Sequence, residues 1–439
     1  MDVSEENLHH YMMAIDAMTR AETDTEKFGA LLVVSHLLKD KLLSDKQNKE
    51  LFKAIGSSFL CRLLLSDDNG VDVPDDCPQN IYQTIGVSIV SSFFLKNPEV
   101  IDTKTYIQLL SSMALILKLL KNKEIDLCED EKQMLSDIIE CFDCFFSSEQ
   151  IKTTNFQTIN RLFKTKFTEI LVQIYSDERF AVNKSTIRQL LSKIAITIEW
   201  SDIEEQSFNE FMITIASECK SNQQKLRFDL CLHLSAILDK NHKYFEKQSN
   251  NPSVSIISDI IFQTIQNKLN KQLRDPVIKL ASILTQIYNG FQWIHLPSKT
   301  WSKDKAKKFM LLLRLSCIEI AMTCDAEDID LNCLANSFVI LEHSVITLTN
   351  DSEEMFLLKH LSSDEIYDIL TAIKDTMSII IRYLQNFRAK DIQLDTESNI
   401  FVSILASIRV LSIWAAEETE ALREEVADIL PLIVKTFIL

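Results

Sequence analysis

Hydrophobic residues recur along this chain at spacings of three and four, which is the repeat of one face of an α-helix. A clear instance is the set Ile187, Leu190, Leu191, Ile194 and Ile198. The same spacing returns at 208–215, 401–408 and 422–433. Strand-like alternation of apolar and polar residues never persists beyond a few positions. The pattern therefore predicts an all-α fold.

Reading this periodicity along the whole chain gives sixteen predicted helices. They span 4–20, 25–39, 45–65, 78–95, 103–121, 130–146, 155–176, 184–198, 203–219, 223–240, 253–288, 302–324, 329–348, 362–387, 397–416 and 419–437. Two are expected to break internally, near Gly56 and at Asp275-Pro276, because proline disfavours helix for the residue before it. Three helix starts carry the capping-box pattern of a hydroxyl followed three residues later by a carboxylate. These pairs are Thr23 with Glu26, Ser201 with Glu204, and Ser362 with Glu365.

The connections between the predicted helices are short. Predicted loops lie at 66–77, 121–130, 241–252, 289–301 and 388–396, and none is a long Ser/Gly linker. No strict repeat of fixed period is visible, so the hairpins would have diverged in sequence. We expect a single continuous domain over 1–439, an armadillo/HEAT-like α-solenoid of divergent helical hairpins.

Composition supports helices and argues against familiar catalytic loops. The 439 residues include only 5 Gly and 7 Pro, whereas tight hairpins and phosphate-binding loops depend on glycine. The patterns GxGxxG, GxxxxGK[ST] and GxSxG do not occur in the sequence, so nucleotide-binding and hydrolase motifs are not recognised. We predict a protein that is not an enzyme and needs no cofactor.

Charge and cysteine usage narrow the expected surroundings. The formal net charge is −17, which disfavours nucleic acid and an anionic lipid surface as partners. Ten cysteines, many of them among apolar residues, and an acidic and polar N terminus indicate a reducing, cytoplasmic location. The uncharged stretch 77–95 contains too many polar residues for a transmembrane helix, so we interpret it as a buried helix. Peripheral membrane association is left open.

Several candidate metal sites fail on a missing ligand. Cys141 and Cys144 have the spacing of a zinc or redox motif, but no second Cys/His pair lies nearby, so a core role is favoured. The acidic turn from Asp67 to Asp72 lacks the glycine and glutamate positions of a calcium loop. Glu342-His343 lacks the second histidine of a zinc-protease helix. No metal site is predicted.

Two charged clusters are candidates for partner binding. The basic cluster consists of Lys299, Trp301, Lys303, Lys305, Lys307 and Lys308. It is either a solvated first helical turn above a packed Trp301 or a groove for an acidic peptide or lipid head group. The acidic cluster consists of Glu417, Glu418, Glu420, Glu424 and Glu425. It fits a helix start, where acidic residues complement the helix dipole.

Five sequence blocks together resemble one known family. They are KFGALLVVSHLLKD (27–40), LFKAIGSSFLCRLL (51–64), CPQNIYQTIGVSIVSSF (77–93), LLRLSCIEIAM (312–322) and VLSIWAAEETEALREEVADILPLIV (410–434). Their order and content resemble the neurochondrin family, and the last block is the most specific. Within it, Trp414, Leu422, Val426 and Leu430 are expected to pack one hairpin on the next. Glu417 and Thr419 are expected to form the tight turn, with Thr419 as the N-cap.

The resemblance implies an atypical armadillo-like protein without enzymatic activity. Members of the family are cytosolic, are associated with neuronal projections, neurite outgrowth and synaptic signalling, and bind signalling and membrane-receptor proteins. One effect of this binding in the family is negative modulation of calmodulin-dependent kinase signalling. The alternatives are a helical solenoid for trafficking or transport that uses the basic cluster, and a structural subunit of a larger assembly.

This sequence departs from the family in two places. Vertebrate members carry acylated cysteines close to the N terminus, whereas the first cysteine here is Cys61, inside a predicted helix. Family members are also considerably longer. The last residues, Ile438-Leu439, do not form the polar cap that the final repeat of a solenoid needs. We therefore expect a fragment, a short isoform or an incomplete gene model.

Overall fold

The structure is a computed structural model, and its description covers most of the chain. The described residues are 5–39, 43–65, 80–96, 101–124, 126–148, 151, 154, 156–222, 225–248, 250–267, 270–296, 300–326, 329–350, 357–389, 399–418 and 420–438. Every regular element among them is helical. The predicted all-α fold is confirmed.

The helices in the first half of the chain are numbered α1 to α11. They are α1 Glu5–Arg20, α2 Asp24–Lys39, α3 Asp45–Ile55, α4 Ser57–Leu64, α5 Ile81–Lys96, α6 Thr103–Asn122, α7 Glu129–Ser147, α8 Phe156–Phe163, α9 Phe167–Ser176, α10 Lys184–Thr197 and α11 Glu205–Ser221. Short 3-10 helices lie at Glu178–Asn183 and Trp200–Asp202.

The second half continues with α12 to α21. They are α12 Lys225–Lys240, α13 His242–Lys247, α14 Pro252–Ile265, α15 Lys271–Ile287, α16 Gln292–His295, α17 Lys303–Cys324, α18 Leu331–Thr349, α19 Ser363–Ala389, α20 Asn399–Glu417 and α21 Arg423–Ile438. The chain divides into two compact units, residues 1–211 and 212–439. Each unit is described by itself, and the predicted single domain stays a prediction.

The first unit stacks its helices in two layers. One layer runs α2, α5, α7 and α10, and the other includes α4, α6 and α9. Aromatic side chains fill the space between neighbouring helices. Phe94 of α5 stacks on Tyr106 of α6, with ring centroids 3.7 Å apart. Phe142 of α7 stacks on Phe167 of α9 at 4.8 Å. Such offset aromatic pairs add about 0.5–1.5 kcal/mol each beyond their burial.

The second unit repeats this arrangement. One layer runs α12, α15, α18 and α20, and the other runs α14, α17, α19 and α21. Consecutive helices such as α17 and α18 form the hairpins that join the two layers. A helix therefore packs both on its hairpin partner and on the next helix of its own layer. This is the stacking of a helical solenoid, and the predicted armadillo/HEAT-like class is confirmed.

Two helices of the second unit are unusually apolar. By length and hydropathy alone, α18 and the Ile400–Glu417 part of α20 could cross a membrane. In the structure, α18 packs against α15, α17 and α20, and α20 also contacts α19. An apolar composition all round is typical of a helix covered on several sides. The core position thus accounts for their hydropathy, and the absence of a transmembrane span stays a prediction.

Local capping decides where several helices begin. The predicted boxes at Thr23–Glu26 and Ser362–Glu365 are confirmed, because each hydroxyl accepts from the later amide and each carboxylate accepts from the earlier one. The predicted box at Ser201–Glu204 is wrong as a helix start. Ser201 lies in a 3-10 helix, and the Glu204 carboxylate accepts a hydrogen bond from the Thr168 hydroxyl.

The positions of glycine and proline predict only some of the helix breaks. The predicted break near Gly56 is confirmed, since α3 ends at Ile55 and α4 begins at Ser57. The predicted helix 155–176 is interrupted before Lys166, whose φ of 57° is left-handed. The break predicted at Asp275-Pro276 is wrong, because Pro276 lies inside α15, which begins at Lys271 after α14 has ended at Ile265. The predicted loops 241–252 and 289–301 each contain a short helix, α13 and α16.

Candidate partner-binding surfaces

Helix α19 carries a stripe of exposed residues, some of which are apolar. Tyr367, Leu370, Thr371 and Lys374 follow one another at spacings of three, one and three, so they share one side of the helix. Tyr367 is 71% exposed and Leu370 is 56% exposed. Large apolar side chains left open in this way are typical of interaction surfaces when they lie together.

The stripe forms one wall of a groove of about 510 Å³, which we call the α18–α20 groove. Its lining residues are Val345, Leu348, Thr349, Tyr367, Leu370, Thr371, Ile373, Lys374, Asp375, Trp414, Glu417, Glu418 and Ala421. They come from α18, α19, α20 and the turn that follows α20. The floor is apolar. Glu417 and Glu418 lie at the end formed by α20 and its turn, and α19 contributes Lys374 and Asp375.

The opposite face of α19 holds the stripe in place. Ile369 and Ile380 of this face are buried against the rest of the unit. Near the start of the helix, the Arg314 guanidinium of α17 donates to the Asp368 carboxylate at 2.9 Å. The capping box at Ser362 fixes the first turn. Because the buried face and both anchors set the rotation of α19, Tyr367 and Leu370 project into the groove.

The family-motif residues lie at this same groove. Trp414 is buried at 7% exposure and contributes to the floor. Glu417 is exposed at the end of α20, and Thr419 lies outside the described residues. The turn is held by Glu418, whose carboxylate accepts from the amides of Ala421 and Glu420 at 3.0 and 3.1 Å. Glu418 therefore contributes to this turn, and the turn role predicted for Glu417 stays a prediction.

The predicted packing of the last helix needs one correction. Leu422 is half-buried, but its φ of 61° is left-handed and precedes the helix. Leu430 is 48% exposed, so its predicted packing role is wrong, and Ile429 and Leu432 are the buried residues of that face. Glu424 and Glu425 of the acidic cluster stand in the first turn of α21, as helix-dipole complementarity predicts.

The basic cluster divides into a packed part and an exposed part. The Trp301 ring meets the rings of His295 and Phe309 edge-on, with centroids 4.1 and 5.9 Å away. The Lys305 ammonium donates to the carbonyls of His295 and Thr300 at 2.8 and 2.9 Å. Burial, with a further contribution from Lys305, lowers the pKa of His295 to about 4. This part of the cluster stabilises the entry into α17.

The remaining lysines of the cluster lie closer to solvent. Lys308 lies 3.4 Å from the Asp304 carboxylate. Lys303 and Lys307 are exposed. The pKa of Glu365 is lowered by the Ser362 amide first and by these two ammonium groups to a smaller extent. Lys299 lies outside the described residues. The exposed lysines available to an acidic ligand are thus Lys303 and Lys307.

The candidate metal ligands of the sequence analysis pack or pair with other protein groups. Cys141 is fully buried, and burial raises the pKa of its thiol well above the usual value. Cys144 donates from its thiol to the Phe94 carbonyl. The Glu342 carboxylate accepts from the Arg409 guanidinium at 2.6 Å, which ties α18 to α20. The Asp67 turn lies outside the described residues.

Comparison with known proteins gives one consistent answer. A sequence model of the neurochondrin family matches residues 10–437. The neurochondrin homolog of Drosophila melanogaster is 25% identical over 425 residues, which cover 94% of this chain and 54% of that protein. Neurochondrin of Xenopus laevis is 23% identical, with 96% and 55% covered. Neurochondrin of Homo sapiens is 22% identical, with 96% and 53% covered.

These matches run through both units of the structure and confirm the predicted resemblance. The chain spans about half the length of the curated relatives it matches. The identity is low, but the match to the family extends over nearly every residue of the chain. This chain belongs to the neurochondrin family.

Proposed function

We propose that this protein is a non-catalytic cytoplasmic adaptor whose α18–α20 groove binds segments of protein partners. Family membership supports a neurochondrin-like role, with signalling and membrane-receptor proteins in neuronal projections as the partners. The observation that carries the proposal is the exposed stripe of Tyr367 and Leu370 above the buried Trp414. Aromatic and large apolar side chains at the centre of a concave surface supply most of the energy in protein interfaces.

The shape and charge of the groove favour an amphipathic helix as the bound segment. Its apolar floor accepts side chains at spacings of three and four, the pattern of helix-in-groove recognition. Asp375, Glu417 and Glu418 bring negative charge to the groove. A partner helix with an apolar face and lysine or arginine at one end complements both features. The charged end steers the approach, and the apolar face supplies the affinity.

The titratable groups of the groove support binding over catalysis. A general acid or base works best with a pKa near neutrality. The pKa of Glu418 is instead lowered, because the amides of Ala421 and Glu420 stabilise its charged form. The strongly raised or lowered pKa values of His295 and Cys141 arise from burial in packed surroundings outside the lining of this groove.

The proposal is tested by proximity labelling in the native cell with matched variants. Leu370→Asp places a charge in the apolar part of the groove, whereas Leu232→Asp makes the same change at a residue of α12 that is 45% exposed. We expect a set of proteins whose labelling falls about five- to thirtyfold with Leu370→Asp, since one lost anchor costs about 1–2 kcal/mol. Leu232→Asp should leave that set intact.

Folding of both variants is checked by circular dichroism and thermal unfolding. Labelling that is the same for wild type, Leu370→Asp and Leu232→Asp would show that the groove is not the binding surface. A catalytic turnover retained by the purified protein would remove the non-catalytic part of the proposal.

A further inference from the structure

Three helices of the second unit bring a thiol and two carboxyl groups together. Asp275 belongs to α15, Glu319 to α17 and Cys333 to α18. Their ligand atoms all lie within 4.8 Å of one another. The residues are far apart in sequence, and only the stacking of α15, α17 and α18 makes them neighbours. The cluster lies away from the lining of the α18–α20 groove.

The spacing of the three donor atoms fits one coordination sphere. The Cys333 Sγ atom lies 3.7 Å from Asp275 Oδ1 and 3.9 Å from Glu319 Oε2. Around a tetrahedral zinc ion, with bonds of about 2.3 Å to sulfur and about 2.0 Å to oxygen, a sulfur and an oxygen ligand are about 3.5 Å apart. Shifts of a few tenths of an ångström bring each of these two sulfur–oxygen pairs to that separation.

The side chains are too deeply buried for an ordinary surface charge cluster. Glu319 is fully buried and Cys333 is 3% exposed, while Asp275 is half-buried. Carboxylates in such positions are costly unless they are paired or bind a metal. Burial first, and the neighbouring carboxylates in addition, raise the pKa of the Cys333 thiol to about 12. Without a cation the thiol is therefore neutral.

The cationic side chains around the cluster pair with only some of its carboxylate oxygens. The Arg274 guanidinium lies 2.6 Å from Glu319 Oε1, on the opposite oxygen from the one that faces Cys333. Lys271 lies 3.3 Å from the carboxylate of Asp330. A ligating carboxylate is commonly held by such an outer partner on its second oxygen. Arg274 thus orients Glu319 and leaves Oε2 for an ion.

From this geometry we propose that Asp275, Glu319 and Cys333 form a zinc-binding site that links α15, α17 and α18. Zinc accepts thiolate and carboxylate ligands together, whereas magnesium and calcium select oxygen alone. Three protein ligands and one water complete the tetrahedron. As the zinc–sulfur bond forms, the Cys333 thiol transfers its proton to solvent, and no oxidation state changes.

Metal analysis of the whole chain tests this site. Wild-type protein freed of metal with a chelator is loaded with Zn²⁺, desalted and measured by inductively coupled plasma mass spectrometry. We expect one zinc per chain beyond what Cys333→Ser retains, and a rise in unfolding temperature that the chelator reverses. Cys317→Ser changes a buried cysteine of α17 that hydrogen-bonds to Thr376. It is the matched control and should retain the zinc.

A second measurement on the wild type keeps the test independent of mutant folding. Co²⁺ substituted for zinc should give the intense visible bands of a tetrahedral site and a thiolate-to-metal charge-transfer band. Asp275→Asn, at the half-buried ligand, should weaken Zn²⁺ binding while preserving the circular dichroism spectrum. Equal zinc retention by wild type and Cys333→Ser, or an octahedral cobalt spectrum without a thiolate band, would show a buried ion network only and overturn the proposal.

Discussion

Individual polar side chains of this protein hold several helices at once. Glu131, in the first turn of α7, accepts from the Asn80 amide at 3.0 Å, from the Cys128 backbone amide at 3.2 Å and from the Lys123 ammonium. Asn80 precedes α5 and Lys123 follows α6. The side chain is buried, with only 8% of its surface exposed. One carboxylate thus ties together the ends of three helices in the first unit.

The ionisation of Glu131 should make the free energy of unfolding depend on pH. Burial alone raises the pKa of Glu131, but the bonds from Lys123 and Cys128 outweigh it, so the net shift is downward. A lowered folded-state pKa contributes stability above the unfolded value of about 4.3, and that stability is lost as pH falls through the folded-state pKa. At pH 7, Glu131→Gln should lower the free energy of unfolding by about 1–3 kcal/mol.

The difference between wild type and Glu131→Gln should therefore shrink as the pH is lowered from about 5 towards 3. Urea unfolding followed by circular dichroism at a series of pH values measures it. Glu129→Gln is the control, since that side chain is exposed and pairs only with Lys132 one turn away, and it should change little at any pH. A constant gap between wild type and Glu131→Gln would contradict the assignment.

At the scale of the helix, the sequence predicts well which segments are helical. It predicts less well where a helix is interrupted. Glycine and the capping boxes are local signals, so the break at Gly56 and the start at Ser362 could be predicted. Lys166 carries no such signal, although its backbone is left-handed. Pro276 lacks only the bond to the carbonyl four residues earlier, and the packing of α15 outweighs that loss.

Two glycines of the first unit should respond oppositely to the same substitution. Gly56 joins α3 to α4 with φ of +80°, a conformation that side chains rarely adopt, so Gly56→Ala should cost about 1–3 kcal/mol. Gly29 lies in the exposed interior of α2 with no atom within 4 Å of an added Cβ. Gly29→Ala should stabilise by up to about 1 kcal/mol. Thermal unfolding of both variants checks the signs, and a stabilising Gly56→Ala would refute the strained junction.

At the scale of the whole chain, sites arise from the stacking of helices that are distant in sequence. Periodicity predicts that α19 is amphipathic, but not which neighbour leaves Tyr367 and Leu370 open. Likewise, Cys333 gives no metal-ligand spacing with any nearby residue, because Asp275 and Glu319 reach it through α15 and α17. Trp414 could be singled out from the sequence through the family motif, and its place in the groove depends on the packing of α18 and α20.

The charge of the whole chain argues against a lipid role for the basic cluster. Lys305 is bound to backbone carbonyls, which leaves Lys303 and Lys307 exposed. Each basic residue at an anionic surface contributes about 1 kcal/mol, so these two exposed lysines of the described part of the cluster supply about 2 kcal/mol. That corresponds to very weak attachment, and the net charge of −17 opposes it further. The apolar helices α18 and α20 are meanwhile engaged in packing.

Vesicle flotation tests directly whether the basic cluster binds anionic lipid. We expect no flotation with vesicles of phosphatidylcholine, and none when phosphatidylserine is added, at physiological ionic strength. Lys303→Glu/Lys307→Glu should behave as wild type does. Flotation that requires phosphatidylserine and is lost in the double variant would instead support a trafficking role through the basic cluster. Flotation with both lipid mixtures that is unchanged by the double variant would indicate insertion of α18 or α20, because only an apolar contact is independent of both lipid and protein charge.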